Sequence, residues 1–432
     1  MPAATGATRC CRRFRRELLW PPSGRRPIVH RQEFYPVTQR QGPVQSRVTV
    51  RGPAWASELL GRLRSDPRFE NRLRAVHAWR DIPTASLNTE PARVKEARPS
   101  LGFFTSGTTG NPKPVLFSAD DWQETTAHRA ECLAALGVAA GDHAAVLLPF
   151  GPWFSGDNLT DALLSLGASV LPVGLYAPYL PAATRLMEET RVNVLVTTPS
   201  VAWLLSELPG QRQVERILLV GEAVPPMLRS ALAKRFGASP RALFAASEAV
   251  LGFETGMAGV FRWNPDRIHL EVRDADGTVR DSGVGELLLT RRYGLAQPVL
   301  RYPLGDRAEL LEDASGTRCF RYLGRHGHAF TLAGGVKITR AQIDHFLDTL
   351  GMPIHEAMFN LRHCAPRDQL LIELGASRPL PHPEKIRDRF VLSSIEIGDV
   401  AHGGLLELHV RVREAPSRAK RRLEITEAPW GL

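Results

Sequence analysis

Between about residue 99 and residue 245, the chain alternates short apolar, β-branched runs with segments of helical periodicity. A strand–helix–strand order favours parallel strands, because the helix carries the chain back across the sheet. Strands are predicted at 144–148, 169–173, 194–197 and 217–220, and helices at 157–166, 181–190, 201–208 and 225–236. The pattern predicts an α/β fold in which helices flank a parallel sheet.

The pattern changes after Pro265. Residues 268–273 and 286–290 have strand character, with an Asp-Gly pair at 276–277 between them. An Asp-Gly turn between two such runs is typical of antiparallel strands. We therefore expect a small barrel-like part after the parallel sheet.

A third region begins near Gly324. It contains a glycine-rich hairpin, followed by a predicted helix at 340–350 and predicted strands at 354–361, 369–374 and 405–412. We expect a large N-terminal domain over residues 51–323 and a small, mobile α+β C-terminal domain over residues 324–432.

The net charge is concentrated in one part of the chain. The sequence has a formal charge of +10, and residues 1–50, with ten arginines and two glutamates, contribute +8 of it. The rest of the chain lacks the basic surface typical of nucleic-acid-binding proteins, so we expect no nucleic-acid partner. We interpret residues 1–50 as a basic, disordered tail, an Arg-rich transit peptide or a translated stretch ahead of the true start.

Neither a membrane span nor a disulfide framework is indicated. No apolar run reaches the ~18 residues that a bilayer-spanning helix requires. The five cysteines are odd in number and scattered, without the spacing of a zinc site. We therefore expect a reducing, intracellular environment and a cytoplasmic location.

A polar, glycine-rich segment lies between two apolar runs. Residues 105–113 are Thr-Ser-Gly-Thr-Thr-Gly-Asn-Pro-Lys. Glycine permits positive φ, so successive N–H groups can point into one concavity and bind an anion. The segment is not a Walker A loop, because Lys113 comes three residues after the last glycine. It predicts a phosphate-binding loop, with an ordinary polar hairpin turn as the alternative.

Further motifs follow this loop along the chain. They are Pro-Phe-Gly-Pro-Trp-Phe-Ser-Gly at 149–156, Val-Gly-Glu at 220–222, Phe-Ala-Ala-Ser-Glu at 244–248, Pro-Val-Leu-Arg-Tyr-Pro-Leu-Gly-Asp at 298–306, Tyr-Leu-Gly-Arg-His-Gly-His at 322–328, the glycine-rich segment 333–344 and Ser-Arg-Ala-Lys at 417–420. The ordered set resembles the adenylate-forming superfamily of acyl-CoA synthetases, luciferases and peptide-synthetase adenylation domains. The resemblance covers about residues 75–425 and is greatest to the shorter, phenylacetate–CoA ligase-like branch.

The resemblance implies where ATP binds. The loop would wrap the β- and γ-phosphates, the Val-Gly-Glu turn would lie near the adenine, and an acid would accept hydrogen bonds from the ribose hydroxyls. The residues implied in ATP and AMP binding are Thr105, Ser106, Gly107, Thr108, Thr109, Gly110, Gly221, Glu222, Phe244, Ser247, Asp306 and Arg325. Arg301 is instead interpreted as structural.

The resemblance also implies three catalytic residues. Glu248 would bind Mg²⁺, which prefers oxygen ligands and bridges phosphates. Lys113 would stabilise the phosphates, and Lys420 would join the carboxylate to the α-phosphate during adenylation. The implied pocket for the carboxylic acid consists of Phe150, Trp153, Phe154, Gly156 and Ala246. The family branch favours a small aromatic acid, although a medium acyl chain would also suit these residues.

The implied reaction is ATP-dependent activation of an aryl or acyl carboxylic acid as an acyl-adenylate, followed by transfer to a thiol. CoA is the expected acceptor, and residues 334–335 match the place where the family lines its pantetheine passage. Two alternatives stay open: transfer to the phosphopantetheine arm of an acyl or aryl carrier protein, and a non-catalytic binding protein that retains the fold. The second alternative rests on departures from the family pattern at Val220, Phe244, Ala245, Gly327 and Ala419.

Overall fold

The structure is a computed structural model that describes residues 53–66, 69, 73–82, 84, 99–105, 114–209, 213–254, 256–294, 296–313, 315–325, 327–364, 367–416 and 421–428. The predicted tail (1–50), most of the predicted phosphate loop (106–113) and the segment 417–420 lie outside the described residues.

Strands and helices alternate from residue 143 to residue 245, as the sequence predicts. The strands are β3 (His143–Leu147), β4 (Ser169–Pro172), β5 (Val194–Thr197), β6 (Arg216–Val220) and β7 (Pro240–Ala245). They are parallel, in the spatial order β7-β6-β5-β3-β4. All four residues of β5 are buried, as expected for a central parallel strand.

The α-helices described before residue 240 are α1 (Ala54–Arg64), α2 (Ala119–Ala135), α3 (Phe154–Ser165), α4 (Leu180–Glu189), α5 (Pro199–Glu207) and α6 (Pro226–Phe236). Capping residues in the sequence determine where two of these helices begin or end. Ser118 and Asp121 form a capping box at the start of α2, with Asp121 N donating to Ser118 Oγ at 3.1 Å. Gly237 ends α6 with φ of 73°, a left-handed conformation that glycine adopts without a Cβ clash.

The predicted barrel-like part is a run of antiparallel strands that continues the same sheet. Its strands are β8 (Val250–Glu254), β9 (Val260–Arg262), β10 (Ile268–Arg273), β11 (Val279–Arg280), β12 (Gly283–Arg291), β13 (Tyr302–Glu312) and β14 (Arg318–Arg325). β8 pairs antiparallel with β7, so the two halves join into twelve strands in the order β11-β10-β12-β13-β14-β9-β8-β7-β6-β5-β3-β4. A separate hairpin consists of β1 (Leu101–Phe104) and β2 (Pro114–Phe117).

The C-terminal region is α+β, as predicted. It comprises the hairpin β15 (His328–Leu332) and β16 (Val336–Thr339), the helices α7 (Arg340–Thr349), α8 (Pro383–Val391) and α9 (Ile395–His402), and the strands β17 (Ile354–Arg362), β18 (Asp368–Ala376), β19 (Leu406–Glu414) and β20 (Arg422–Ala428). The last four strands form a sheet in the order β19-β18-β17-β20.

Apolar packing joins this region to the parallel half of the large sheet. One cluster of buried side chains contains Leu204 and Leu232 from α5 and α6 together with Phe346, Phe359 and Phe390 from the C-terminal region. The predicted domain boundary near residue 324 stays a prediction, because side chains from the large sheet's helices and from the C-terminal region pack in the same buried cluster. Among the described residues, no helix is both long and apolar enough to cross a bilayer.

Candidate active site

The carboxyl ends of the parallel strands β6 and β7 bring two predicted segments together. β6 ends at Val220 and leads into Gly221, whose φ of 89° is readily available to glycine alone. β7 ends at Ala245 and leads into the Ser-Glu pair at 247–248. Ligands of open α/β sheets bind at this edge, outside the carboxyl ends of the strands.

A cavity of about 210 Å³ lies beside this edge. The residues that line it include Gly221, Glu222, Phe244, Tyr322 and Lys337. The Phe244 ring packs against Phe261, Phe320 and Tyr322, with centroid distances of 5.4, 5.3 and 5.1 Å. A phenylalanine here supplies the flat apolar wall that suits a purine base, without the hydroxyl of a tyrosine.

Asp306 is a buried carboxylate on β13, 3% exposed. It lies opposite Arg325 in the β13–β14 ladder, and Arg325 Nη1 donates to both of its oxygens at 3.3 Å. The Tyr322 hydroxyl also hydrogen-bonds to Asp306, and burial followed by the Asp306 charge raises the pKa of Tyr322. The carboxylate is held in one orientation by Arg325 and by Tyr322, which lines the cavity, and this suits hydrogen bonds from vicinal hydroxyls.

Glu248 lies on a tight turn between β7 and β8. Ala246 N donates to Ala249 O at 2.9 Å, so Ser247 and Glu248 occupy the tip of the turn. The Tyr302 hydroxyl hydrogen-bonds to the Glu248 carboxylate, and burial followed by that negative charge raises the pKa of Tyr302 to about 12. The half-buried carboxylate and the neighbouring Ser247 hydroxyl are hard oxygen donors, so these residues fit Mg²⁺.

The Glu222 carboxylate points towards the start of α5. It accepts hydrogen bonds from Ser200 N at 2.9 Å and from Ser200 Oγ at 2.5 Å. Burial raises the pKa of Glu222 to about 7, against the lowering effect of these two bonds. Ser200 Oγ also accepts a bond from Gly334 N at 3.1 Å, so Glu222 is linked to the glycine-rich turn of the C-terminal region.

The β1–β2 hairpin supports the two ends of the predicted phosphate loop. Phe104 and Pro114 pair directly across it, and Phe104 N donates to Pro152 O at 2.9 Å. Thr105, at the start of the loop, is half-buried. The predicted contacts of the rest of the loop lie outside the described residues and stay predictions, namely those of Ser106, Gly107, Thr108, Thr109, Gly110 and Lys113.

Phe154 lies in the core and not on the cavity described above. Its ring is 4% exposed and packs against Phe103, Phe117 and Trp122, with centroid distances of 5.9, 5.5 and 5.9 Å. This cluster joins the hairpin that carries the loop to the segment predicted to hold the acid. Phe154 therefore supports the predicted pocket from behind.

Gly156 also supports the segment by allowing a close approach. A Cβ atom there would lie 2.6 Å from Pro149 O and 2.7 Å from Phe150 Cγ. Phe150, Trp153 and Ala246 are half-buried, so their rings and methyl group retain exposed surface. Trp153 Nε1 donates to Asp399 Oδ2 on α9 at 2.7 Å, which connects this segment to the C-terminal region.

Several residues of the site were not assigned from the sequence. Lys337 lines the cavity, and burial lowers its pKa. The sequence feature that could have identified Lys337 is its position two residues after the glycine pair at 334–335, in a chain with only six lysines. Glu396 and Ser200 lie in no motif of the set, so the sequence offered no signal for them.

Arg301 is structural, as predicted. Its side chain is 5% exposed and pairs with Glu271 at 3.1 Å. It also donates to Arg80 O at 3.0 Å and to Ile82 O at 2.9 Å. The guanidinium is therefore surrounded by protein acceptors and joins the segment before β1 to the sheet.

A second group of acids and a histidine lies away from this site. His269, Glu271 and Asp281 place their ligand atoms within 4.8 Å of one another. Glu271 already pairs with Arg301, and His269 Nε2 lies 3.4 Å from Asp281 Oδ1. These contacts account for the group without a metal ion.

The fold and site place the chain in a protein family. Residues 36–296 match the model of the family described as AMP-binding enzyme. The match covers more than half of the chain, and the chain belongs to this family.

Curated relatives include two phenylacetate-coenzyme A ligases. The one from Escherichia coli (strain K12) is 26% identical over 284 residues, which are 62% of this chain and 61% of the relative. The one from Thermus thermophilus is 24% identical over 294 residues, 64% of this chain and 65% of the relative. The matched part is less than two thirds of the length of each.

The fold is that of solved adenylate-forming ligases. A 2-hydroxyisobutyryl-CoA ligase in complex with 2-HIB-AMP and CoA in the thioesterification state has a TM-score of 0.68 and 19% identity, covering 87% of this chain and 91% of that one. The same ligase in the postadenylation state, with 2-HIB-AMP, has a TM-score of 0.55 and 18% identity, covering 90% and 94%.

Proposed function

We propose that this chain is an AMP-forming acid–thiol ligase. It activates a carboxylic acid with ATP as an acyl-adenylate and then transfers the acyl group to a thiol, with CoA as the acceptor. The observation that carries the proposal is the buried Asp306, held by Arg325 and Tyr322 beside the cavity walled by Phe244, in a chain of the AMP-binding family.

In the proposed first step, a carboxylate oxygen of the acid attacks the α-phosphorus of ATP and pyrophosphate leaves. Asp306 accepts bonds from the ribose hydroxyls, and the Phe244 ring covers the base. Glu248 and Ser247 would hold Mg²⁺, which neutralises phosphate charge when bound. The predicted Thr105–Lys113 loop and Lys420 supply the remaining donors to the phosphates and to the reacting oxygens.

In the proposed second step, a thiol attacks the acyl carbon of the adenylate and AMP leaves. Support comes from the fold, which is similar over 87% of this chain to that of a 2-hydroxyisobutyryl-CoA ligase solved with 2-HIB-AMP and CoA (TM-score 0.68). Gly334 N, bonded to Ser200 Oγ, holds the glycine-rich turn against the edge of the sheet.

We propose a small aromatic acid as the substrate class. The named activity of the relatives from Escherichia coli and Thermus thermophilus supports this choice. The half-buried rings of Phe150 and Trp153 also support it, because aromatic rings pack well against a flat aryl group.

The test is pyrophosphate release from purified protein with ATP, Mg²⁺ and a panel of aryl and acyl acids, with and without CoA. We expect release that depends on an aryl acid, with a thioester formed when CoA is present. Acid-dependent release without any CoA thioester would redirect the second step to a carrier-protein arm. ATP binding without release across the panel would favour a non-catalytic protein of this fold.

The predicted role of Lys420 has its own test. Lys420→Ala should remove adenylation while sparing thioester formation from a supplied acyl-adenylate. Lys385→Ala, which changes an exposed lysine on α8, is the matched control and should leave both steps unchanged. Unchanged adenylation in Lys420→Ala would refute the assignment.

A further inference from the structure

Helix α9 lies against the segment predicted to hold the acid. Asp399 Oδ2, near the end of the helix, accepts the bond from Trp153 Nε1 at 2.7 Å. Just beyond the helix, Gly403 O accepts a bond from Ala177 N at 2.7 Å. The helix is therefore held at the seam between the C-terminal region and the large sheet.

One face of α9 borders the glycine-rich turn. A Cβ atom on Gly334 would lie 3.6 Å from Val400 Cγ1, so Val400 packs next to that turn. Glu396 precedes Val400 by four residues, and side chains four apart lie on the same face of a helix. Glu396 is therefore one turn away from Gly334, on the side that faces the seam.

The Glu396 carboxylate lies among charged residues of the site. Lys337, which lines the cavity, and Arg325, which binds Asp306, both influence its pKa, as does Asp399 on its own helix. Burial is the largest influence, and the pKa of Glu396 rises to about 8 although Lys337 and Arg325 oppose the rise.

Glu396 differs from Glu222 and Asp368 in its hydrogen bonds, and it shares with Asp157 a buried carboxylate oxygen to which no described residue donates. Glu222 accepts two bonds from Ser200, and Asp368 accepts bonds from Ala333 N and His363 Nδ1. Glu396 Oε2 is buried, and no described residue donates a hydrogen bond to it. A buried polar atom without a hydrogen bond loses the hydration that it has in the unfolded chain, and such atoms need a structural or functional explanation.

We propose that Glu396 is the general base of the thiol-transfer step. The proposal rests on the ligase function proposed above and adds a catalytic residue to its second half-reaction. Glu396 lies on the helix that Asp399 bonds to the predicted acid-binding segment, and its carboxylate is within electrostatic reach of Lys337 and of Arg325, the partner of Asp306.

The proposed thiol transfer moves one proton to Glu396 and exchanges one bond at the acyl carbon. The sulfur of CoA forms a bond to the acyl carbon of the adenylate, while the thiol proton passes to the Glu396 carboxylate. The bond between the acyl carbon and the phosphate oxygen breaks, and AMP leaves with that electron pair. A carboxylate whose pKa is near that of a thiol (about 8.5) is well matched to take this proton.

The test separates the two half-reactions in the full chain, with phenylacetate and its adenylate as probes. Glu396→Gln should lower the rate of thioester formation from supplied adenylate and CoA by about 100-fold or more. Pyrophosphate release with phenylacetate and ATP should change less than about twofold. Glu396→Asp should retain part of the rate, and Glu384→Gln, an exposed acid on α8, should match the wild type.

A pH profile distinguishes a base from a structural acid. The wild-type rate of thioester formation should rise as pH rises through about 8, and Glu396→Gln should lose this rise except for the ionisation of the thiol itself. An equal loss in both half-reactions, or an unchanged profile in Glu396→Gln, would overturn the proposal. Absence of adenylate formation by the wild type with every acid of the aryl and acyl panel would instead refute the proposed function.

Discussion

Two of the arginine–carboxylate pairs in the antiparallel half of the sheet differ in their surroundings. Arg301 pairs with Glu271 at 3.1 Å, and their side chains are 5% and 7% exposed. Arg325 pairs with Asp306 at 3.3 Å, and the exposed fractions are 20% and 4%. Arg301 also binds two backbone carbonyls of the segment before β1, whereas the Arg325–Asp306 pair is linked to a cavity through Tyr322.

The difference shows how one kind of ion pair serves two purposes. Protein acceptors surround the Arg301 guanidinium, so this pair stabilises the fold by joining the segment before β1 to the sheet. Asp306 is fixed by Arg325 and by Tyr322, and Tyr322 itself lines the cavity. The surroundings of each pair, and not its chemistry, separate a structural site from a binding site.

The largest effect is expected from breaking the structural pair. Arg301→Met leaves Glu271 buried without its cation, which should lower the free energy of unfolding by about 3–5 kcal/mol. Chemical denaturation measures the change. Arg321→Met, in an exposed pair with Glu309, should cost about 1 kcal/mol or less. Equal costs for the two variants would contradict the comparison.

The binding pair should affect activity more than stability. Asp306→Asn removes the charge that would bind the ribose hydroxyls, and charge-assisted bonds contribute about 1.5–3 kcal/mol. We expect a roughly 10- to 150-fold loss in kcat/KM for ATP, measured by pyrophosphate release. Glu309→Gln, an exposed acid on the same strand, is the control. A stability loss as large as that of Arg301→Met, without the kinetic loss, would reverse the assignment.

The smallest effect concerns a third acid, the half-buried Glu222, and depends on pH. Its folded pKa, raised by burial to about 7, lies above the ordinary value of 4.5. A carboxyl with a raised folded pKa loses its stabilising contribution as pH rises from about 4.5 to about 7. Glu222→Gln cannot ionise, so it should become more stable relative to the wild type by about 1–3 kcal/mol over this range.

Chemical denaturation at about pH 4.5 and at about pH 8 measures the effect of Glu222→Gln on the free energy of unfolding. Glu215→Gln is the control, because Glu215 is an exposed acid directly before β6. If the difference between Glu222→Gln and the wild type is independent of pH, the Glu222 carboxyl is not buried as a proton-retaining group. That result would place it with ordinary surface acids.

Much of the fold was predictable because periodicity is a local property. The strands β3 to β6 and β17 to β19 lie close to their predicted positions, whereas β7 and β20 were not among the predicted strands. The capping box at Ser118 was also predictable, because it involves residues three apart. The continuity of the antiparallel strands with the parallel sheet was not, since it depends on the pairing of β7 with β8 and not on either pattern alone.

Some residues of the candidate site could be identified from the sequence, and the surroundings of others could not. Asp306, Glu248 and Phe244 belong to recognisable motifs, so the sequence identified them before their neighbours were known. Phe154 shows the limit of a motif, because its ring packs into the core although the residues beside it remain half-buried.

The sequence by itself determined the alternation of strands and helices, the family resemblance and the residues proposed to bind ATP. Only the tertiary structure decided that Trp153 meets Asp399, that Glu222 is linked through Ser200 to Gly334, and that Glu396 comes within electrostatic reach of Lys337 and Arg325. Trp153 and Asp399 are 246 positions apart. Local patterns report which face of an element is apolar, whereas contacts across such separations depend on how the elements are packed together.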